Sequence, residues 1–296
     1  MEKNKIKNVL GRNFTLICAI LMIIVTISII YFIASQGLLT FIRNKVSLSE
    51  FLFSSKWNPG ASKAEGGPQV GALAFILGSL AVSLSALIIS APMSVSVAVF
   101  MVEISPPYMR NFLQSIIELF AGIPSVVYGW IGLSVLVPFI RNHIGGLGFS
   151  LLAGTIVLAV MIFPTITTVS SDSLRSLQNE LKEASYALGA TRWQTIRKVL
   201  LPAALPGILT GIVLGLARAF GEALAVQMVI GNAVRIPDSF LAPMHTMTSI
   251  LTMDMGNTVS GSLWNNALWS IALLLLLFSF TFIIIIRLIG RRGQHR

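Results

Sequence analysis

Apolar residues run along this chain in long blocks that charged side chains interrupt only at the edges. Residues 14–31, 70–102 and 263–286 carry no Asp, Glu, Lys or Arg at all. Each block can hold the roughly 20 apolar residues that a membrane-spanning helix needs. Extending the same pattern predicts six spans, at 14–35, 71–101, 114–140, 150–172, 205–231 and 263–289. The expected fold class is all-α, a polytopic membrane protein of about six transmembrane helices.

Small residues recur inside these blocks. Gly207, Gly211 and Gly215 form a ladder in span five, and Ala153, Gly154 and Ala159 lie in span four. Such ladders let helix backbones approach closely, here within one bundle. Two polar segments between blocks are long. Segment 36–70 carries Trp57-Asn58-Pro59-Gly60 and Gly66-Gly67-Pro68, turn chemistry that suits an ordered element or a plain connector equally. In 232–262, Phe240, Leu241, Met244, Met247, Ile250 and Leu251 form an apolar stretch that could lie on the membrane face or re-enter it.

Composition supports this reading. The 296 residues are 55% hydrophobic and 11% charged, with mean hydropathy +0.83, against roughly 25% charged in a soluble chain. The net charge of +10 has an uneven distribution. Lys3, Lys5, Lys7, Arg12, Arg110, Arg175, Lys182, Arg192, Arg197, Lys198, Arg287, Arg291, Arg292 and Arg296 fall on one side of the six spans. Arg43, Lys45, Lys56, Lys63, Arg141 and Arg235 fall on the other. The positive-inside rule then places both termini in the cytoplasm. The charge is thus explained by loop lysines and arginines, and no nucleic-acid partner is expected. The organisation expected is a cytoplasmic tail 1–13, a first helix 14–35, an extracytoplasmic loop 36–70 and a core of five helices over 71–289. That core holds a cytoplasmic loop 173–204, and a tail 290–296 follows. Block 14–35 is too long for a signal-peptide core and lacks an A-x-A site, so it reads as an uncleaved anchor.

Candidate chemistry is sparse. Cys18 is the one cysteine, and His143, His245 and His295 are scattered, so neither a disulfide nor a metal site is expected. No phosphate-binding G-x-x-x-x-G-K-[ST] segment occurs, so any ATP must be bound by another chain. The absence of H-E-x-x-H, G-x-S-x-G and clustered aspartates argues against an embedded enzyme.

The polar segment 176–206 carries the strongest local signal. Leu177, Leu181, Ala184 and Leu188 fall on one helical face, and Gly189 supplies a stop. Thr191-Arg192-Trp193-Gln194 reads as a capping box that starts a second helix, with Trp193, Ile196, Val199 and Leu200 on one face. Pro202 and Pro206 mark the beginning of the next span. The pattern predicts a helix–turn–helix with a rigid corner at Gly189. It suits either force transmission from a soluble partner or simple anchoring at the interface. Trp193 fits a docking anchor and a headgroup-level side chain equally.

Glu183-Ala184-Ser185, Gly189 and Val199-Leu200-Leu201-Pro202 resemble the EAA motif of bacterial ABC importer permeases, with Ser185 and Val199 as departures. The resemblance implies the type I ABC importer permease architecture. It also implies that the loop docks into an ATPase subunit, with Glu183, Ala184, Ser185, Gly189, Ala190, Trp193 and Pro202 in the coupling element. It extends to the phosphate-specific transport (Pst) system through Ser55-Lys56-Trp57-Asn58-Pro59, residues 118–129 and Arg218-Ala219-Phe220-Gly221-Glu222. The long first outside loop with its Trp-Asn-Pro is similar to the PstC-type membrane subunit. The resemblance implies a bacterial plasma-membrane protein that imports phosphate. Its partners would be a PstA-type sister, two ATPase subunits and an extracytoplasmic phosphate-binding protein, beside membrane lipid. ATP and Mg would belong to the ATPases, with no cofactor on this chain. An importer for sulfate or molybdate is the alternative; a passive channel would not need the loop.

Arg218 lies inside span five, where an ionised side chain needs a cavity, a partner or a ligand. Glu222 follows at i+4, on the same helical face if the helix continues. The pair reads either as self-neutralising or as a substrate site. Arginine matches phosphate oxygens, and Glu222 could accept the P–OH hydrogen bond that phosphate offers and sulfate lacks. In span three, Pro124 predicts an ordinary kink or a broken helix, with Glu118 one turn earlier.

Overall fold

The computed structural model describes residues 2–62, 64 and 67–292. Of the residues named above, Lys63, Gly66, His295 and Arg296 lie outside the described residues. The side chains of Lys3, Lys5, Lys7, Arg287, Arg291 and Arg292 do so as well.

Among the described residues, six helices are long and apolar enough to cross a membrane: Gly11–Ile42, Leu73–Ile104, Ser125–His143, Leu151–Arg175, Arg192–Gly221 and Leu263–Ile286. The elements are α1 (Glu2–Ile42), α2 (Leu48–Phe53), β1 (Trp57–Asn58), β2 (Gln69–Val70), α3 (Leu73–Val99) and α4 (Pro107–Gly122). They continue as α5 (Ser125–Ile131), α6 (Val137–His143), α7 (Leu151–Arg175), α8 (Asn179–Ala187), α9 (Arg192–Thr195) and α10 (Leu201–Gly221). The last are α11 (Leu224–Ile230), α12 (Met247–Asp254) and α13 (Leu263–Arg292). π turns over Phe100–Ile104, Gly132–Leu136 and Ile196–Leu200 extend α3, join α5 to α6 and join α9 to α10. The third absorbs Pro202. The Leu201 N–H already reaches back to Ile196 O across the wide turn, so the ring follows a ladder that has changed register.

The centre of the bundle is α7 packed along α3 and α10. The glycine ladder lies there as expected. A Cβ at Gly215 would come within 2.6 Å of Ile166, and one at Gly211 within 3.2 Å of Val169. At Gly207 it would overlap the Ser173 hydroxyl, which donates to Ala204 O at 3.0 Å.

Segment 36–70 carries short elements of its own among its described residues. Ser47 caps α2, and β1 pairs antiparallel with β2, Trp57 opposite Val70. Phe51, Val70 and Phe75 join Met247, Ile250, Leu268 and Ile271 in one buried cluster, with Trp57 edge-on to Phe75 at 5.1 Å. The segment over 232–262 is packed among helices as well. The Met247 N–H of α12 donates to Ser79 of α3 at 2.8 Å, and Met244, Met247 and Ile250 are buried. α12 fills the gap between α3, α11 and α13.

Two expected spans are interrupted. The 114–140 span is not one kinked helix. α4 ends at Gly122, Ile123 and Pro124 are extended, and α5 starts at Ser125. Pro124 favours an extended Ile123 and suits the start of the following helix. The 205–231 span stops at Gly221, with Glu222 extended before α11.

Candidate functional site

The hairpin α8–α9 forms as its local sequence dictates. Gly189 takes φ +80°, and Ala190 N–H bonds back to Ser185 O at 3.2 Å, closing α8. The capping box is realised. Thr191 Oγ1 accepts from Gln194 N–H, and Gln194 Oε1 accepts from Thr191 N–H at 2.8 Å.

The apolar positions that share one face of α8 do not pack on the bundle. Leu188 is 90% exposed, and Leu181 and Ala184 are exposed too. Polar side chains anchor the helix instead. Ser185 is buried, its hydroxyl 2.9 Å from Thr195 Oγ1, and Lys182 pairs with Glu103 at 2.7 Å. Leu188 is left outward because α8 turns its Lys182–Ser185 side to the bundle. After the turn, Ile196 and Leu200 are buried, whereas Trp193 is 62% exposed. Glu183, Ala184, Gly189 and Pro202 are exposed, Ala190 partly so. The hairpin therefore presents Leu188, Tyr186 and Trp193 outward on a frame held by internal polar bonds.

The two helix breaks lie side by side. At Gly129 the backbones of α5 and α11 approach so closely that a Cβ would sit 2.8 Å from Ala225 Cα. Polar groups freed at each break are taken up locally, as a low-dielectric setting demands. Tyr128 Oη donates to Phe120 O at 2.7 Å across the first. At the second, Glu222 Oε1 accepts from Ala225 N–H at 3.0 Å, and Glu222 O accepts from Thr248 Oγ1 at 2.8 Å.

Of the two readings of Arg218 and Glu222, the self-neutralising ion pair does not form. The helix ends between them, so i+4 spacing no longer places them on one face. Arg218 Nη1 donates instead to Thr165 Oγ1 of α7 at 3.1 Å, and no carboxylate lies within ion-pair distance of it among the described residues. Tyr128 lies within electrostatic reach of the guanidinium. The structure thus gathers Arg218, Thr165 and Tyr128 beside both breaks, with Glu222 capping α11. Pro124 is exposed at the first break. Glu118 is set apart: its Oε1 accepts from Gln114, whose own Oε1 accepts from Arg175 at 3.3 Å. Sequence reasoning missed Thr165, Tyr128, Thr195 and Glu103, each of which acts through a long-range contact or across a break.

Comparison with known proteins agrees with this architecture. The family model described as "Binding-protein-dependent transport system inner membrane component" matches residues 92–294. The chain is 52% identical over 294 residues to the probable ABC transporter permease protein YqgH of Bacillus subtilis, covering 99% of this chain and 94% of that protein. It is 36% identical over 266 residues to the phosphate transport system permease protein PstC of Pasteurella multocida, covering 83% and 81%. Among solved structures, the fold resembles the MetNI methionine ABC transporter, with TM-score 0.59, 22% identity, and 74% of this chain and 94% of that one covered. It also resembles a bacterial ABC transporter that imports alginate, with TM-score 0.65, 16% identity, and 97% and 99% covered. Six apolar helices, a polar hairpin between the fourth and fifth, and a family match over most of its length make this chain a member of the binding-protein-dependent transport system inner membrane components: a permease subunit of an ABC importer, with ATP hydrolysis carried by a separate chain.

Proposed function

We propose that this chain is the PstC-type half of a phosphate importer. The observation that carries the reading is Arg218, a cation within a span that meets a neutral hydroxyl and, among the described residues, no carboxylate. Such a charge is costly in a bilayer unless an anion or a water-filled path compensates it. Its guanidinium matches phosphate oxygens, and Glu222 at the adjoining break offers the carboxylate that a P–OH can meet and sulfate cannot. Relatives named as PstC phosphate permeases support the choice of anion. Pro124 opens the path between the half-helices, and Glu118 lies at its hairpin end.

In this reading both termini and the hairpin face the cytoplasm of a bacterial cell, and loop 36–70 faces outward. An extracytoplasmic phosphate-binding protein delivers the anion to a path shared with a PstA-type sister. Two ATPase subunits receive the hairpins through Glu183, Ala184, Gly189, Ala190 and Trp193, with Ser185 and Pro202 shaping the element. ATP and Mg act on those subunits.

The test is reconstitution of all subunits in proteoliposomes with an ATP supply inside. Labelled phosphate accumulates, and unlabelled sulfate or molybdate fails to compete. Accumulation of sulfate or molybdate in place of phosphate would reassign the cargo. No binding of an ATPase with the sister present would remove the importer role assigned to the hairpin.

A further inference from the structure

α10 continues directly from the hairpin and α7 joins it through a short link, but α3 has no chain connection to it. One residue of its terminal π turn nevertheless touches both hairpin helices. The Glu103 carboxylate pairs with Lys182 of α8 at 2.7 Å, the two side chains 7% and 26% exposed. The Glu103 carbonyl accepts from the Arg192 guanidinium at the start of α9. The two preceding carbonyls, of Met101 and Val102, accept from Arg110 at 2.9 and 3.0 Å.

The arginines suit this position, because the last carbonyls of a helix lack partners and carry its negative end. Glu103 does not suit it. A carboxylate at a helix C-terminus opposes the dipole, so α3 by itself would be better served by a neutral side chain. The carboxylate is accounted for by Lys182, not by α3. Beneath the pair, Ala98, Val99 and Val102 pack with Leu174, Ile196, Leu200 and Ala204. α3 in turn packs along the length of α7.

We infer that Glu103 is a positioning residue for transport: through Lys182 and Arg192 it makes α3, and α7 packed on it, follow the hairpin when an ATPase moves it. The inference rests on the proposed docking role of the hairpin and not on the identity of the anion. Removing one partner of so enclosed a pair leaves the other uncompensated, which loosens the link without touching an ATP site.

The experiment uses the whole complex in proteoliposomes, with inorganic phosphate and the binding protein, and reads phosphate accumulated per ATP hydrolysed in the assembled fraction. Glu103→Gln keeps the backbone carbonyl and the shape, and lowers that ratio about fivefold while the ATPases stay bound. The exchanged pair Glu103→Lys with Lys182→Glu returns it towards the wild-type value. A wild-type ratio in Glu103→Gln overturns the inference, and so does loss of assembly alone with a normal ratio in what remains. Where Glu103→Gln does not assemble, an exchanged pair that assembles but stays as impaired as Lys182→Gln overturns it too. If the wild-type complex hydrolyses ATP on adding loaded binding protein yet moves no phosphate, the anion assignment fails. Glu103 is then read by that stimulation, which Glu103→Gln must lower for the inference to stand.

Discussion

Ser185 and Thr195 join their hydroxyls at 2.9 Å across the hairpin, and both side chains are buried. Thr195 has a second partner in the Thr191 carbonyl at 3.2 Å. Ser185→Ala therefore leaves no orphaned group and costs about 1 kcal/mol. Thr195→Val strands the Ser185 hydroxyl in the interior and costs more, about 2 kcal/mol. Thermal unfolding in detergent ranks the two, and the reverse order would count against the bond as the hairpin's internal brace.

Arg218 has no carboxylate within ion-pair distance among the described residues, so its substitution tests anion passage directly. Arg218→Gln can keep a hydrogen bond to Thr165 but removes the charge, and phosphate uptake falls at least about tenfold. Arg218→Lys falls between, because an ammonium keeps the charge and loses the planar fork. Uptake in Arg218→Gln equal to wild type, with normal assembly, would leave the arginine a structural role only.

Glu222 separates capping from charge. Glu222→Gln retains an oxygen for the Ala225 N–H and preserves the break, whereas Glu222→Ala loses the cap at about 1 kcal/mol. Thermal melts should thus separate the two variants while phosphate uptake falls in both. Full uptake in Glu222→Gln rules out the carboxylate as the acceptor for P–OH.

The spans were legible because uncharged blocks of that length have few other solutions. The Thr191–Gln194 cap and the Gly207–Gly215 ladder were legible because each depends on spacing within one segment. What failed was reasoning that assumed an unbroken helix. Arg218 and Glu222 share a face only if the helix continues past Gly221, and it does not. Periodicity groups Leu188 with Leu181 and Ala184 on one face without saying what that face meets; α8 is anchored by Lys182 and Ser185, whose partners Glu103 and Thr195 lie on other elements. Nothing near Glu103 in the chain marks its partner.

Two glycines should differ in kind. Gly189 needs φ +80° but has open space around it, so Gly189→Ala costs about 1 kcal/mol of backbone strain, and Gly189→Asn is tolerated better. Gly129 is helical, and there an added methyl meets Ala225 Cα and Met228 Sδ at 2.8 Å. Gly129→Ala must push α5 from α11, a loss of about 1–3 kcal/mol. Uptake should drop with Gly129→Ala even in the fraction that assembles, because the two breaks share that contact.

His245 makes stability depend on pH. It is 3% exposed, edge-on to Phe75 at 5.4 Å, and burial lowers its pKa from 6.5 to about 4, with the Thr246 carbonyl opposing. Between those values the unfolded chain carries a proton on this ring and the folded chain does not. Stability therefore falls as pH drops from 6.5 towards about 4 and levels off below, a loss of order 3 kcal/mol. Asp254 works the other way. Burial raises its pKa, so the folded state takes up its proton first and gains on acidification. The two are separated by comparison with His245→Gln, which keeps Asp254 and removes the imidazole. The difference in melting temperature between wild type and variant, taken at steps from pH 7 to pH 4, should shift steadily in the variant's favour as pH falls. A constant gap would mean that the ring does not stay neutral in the folded protein.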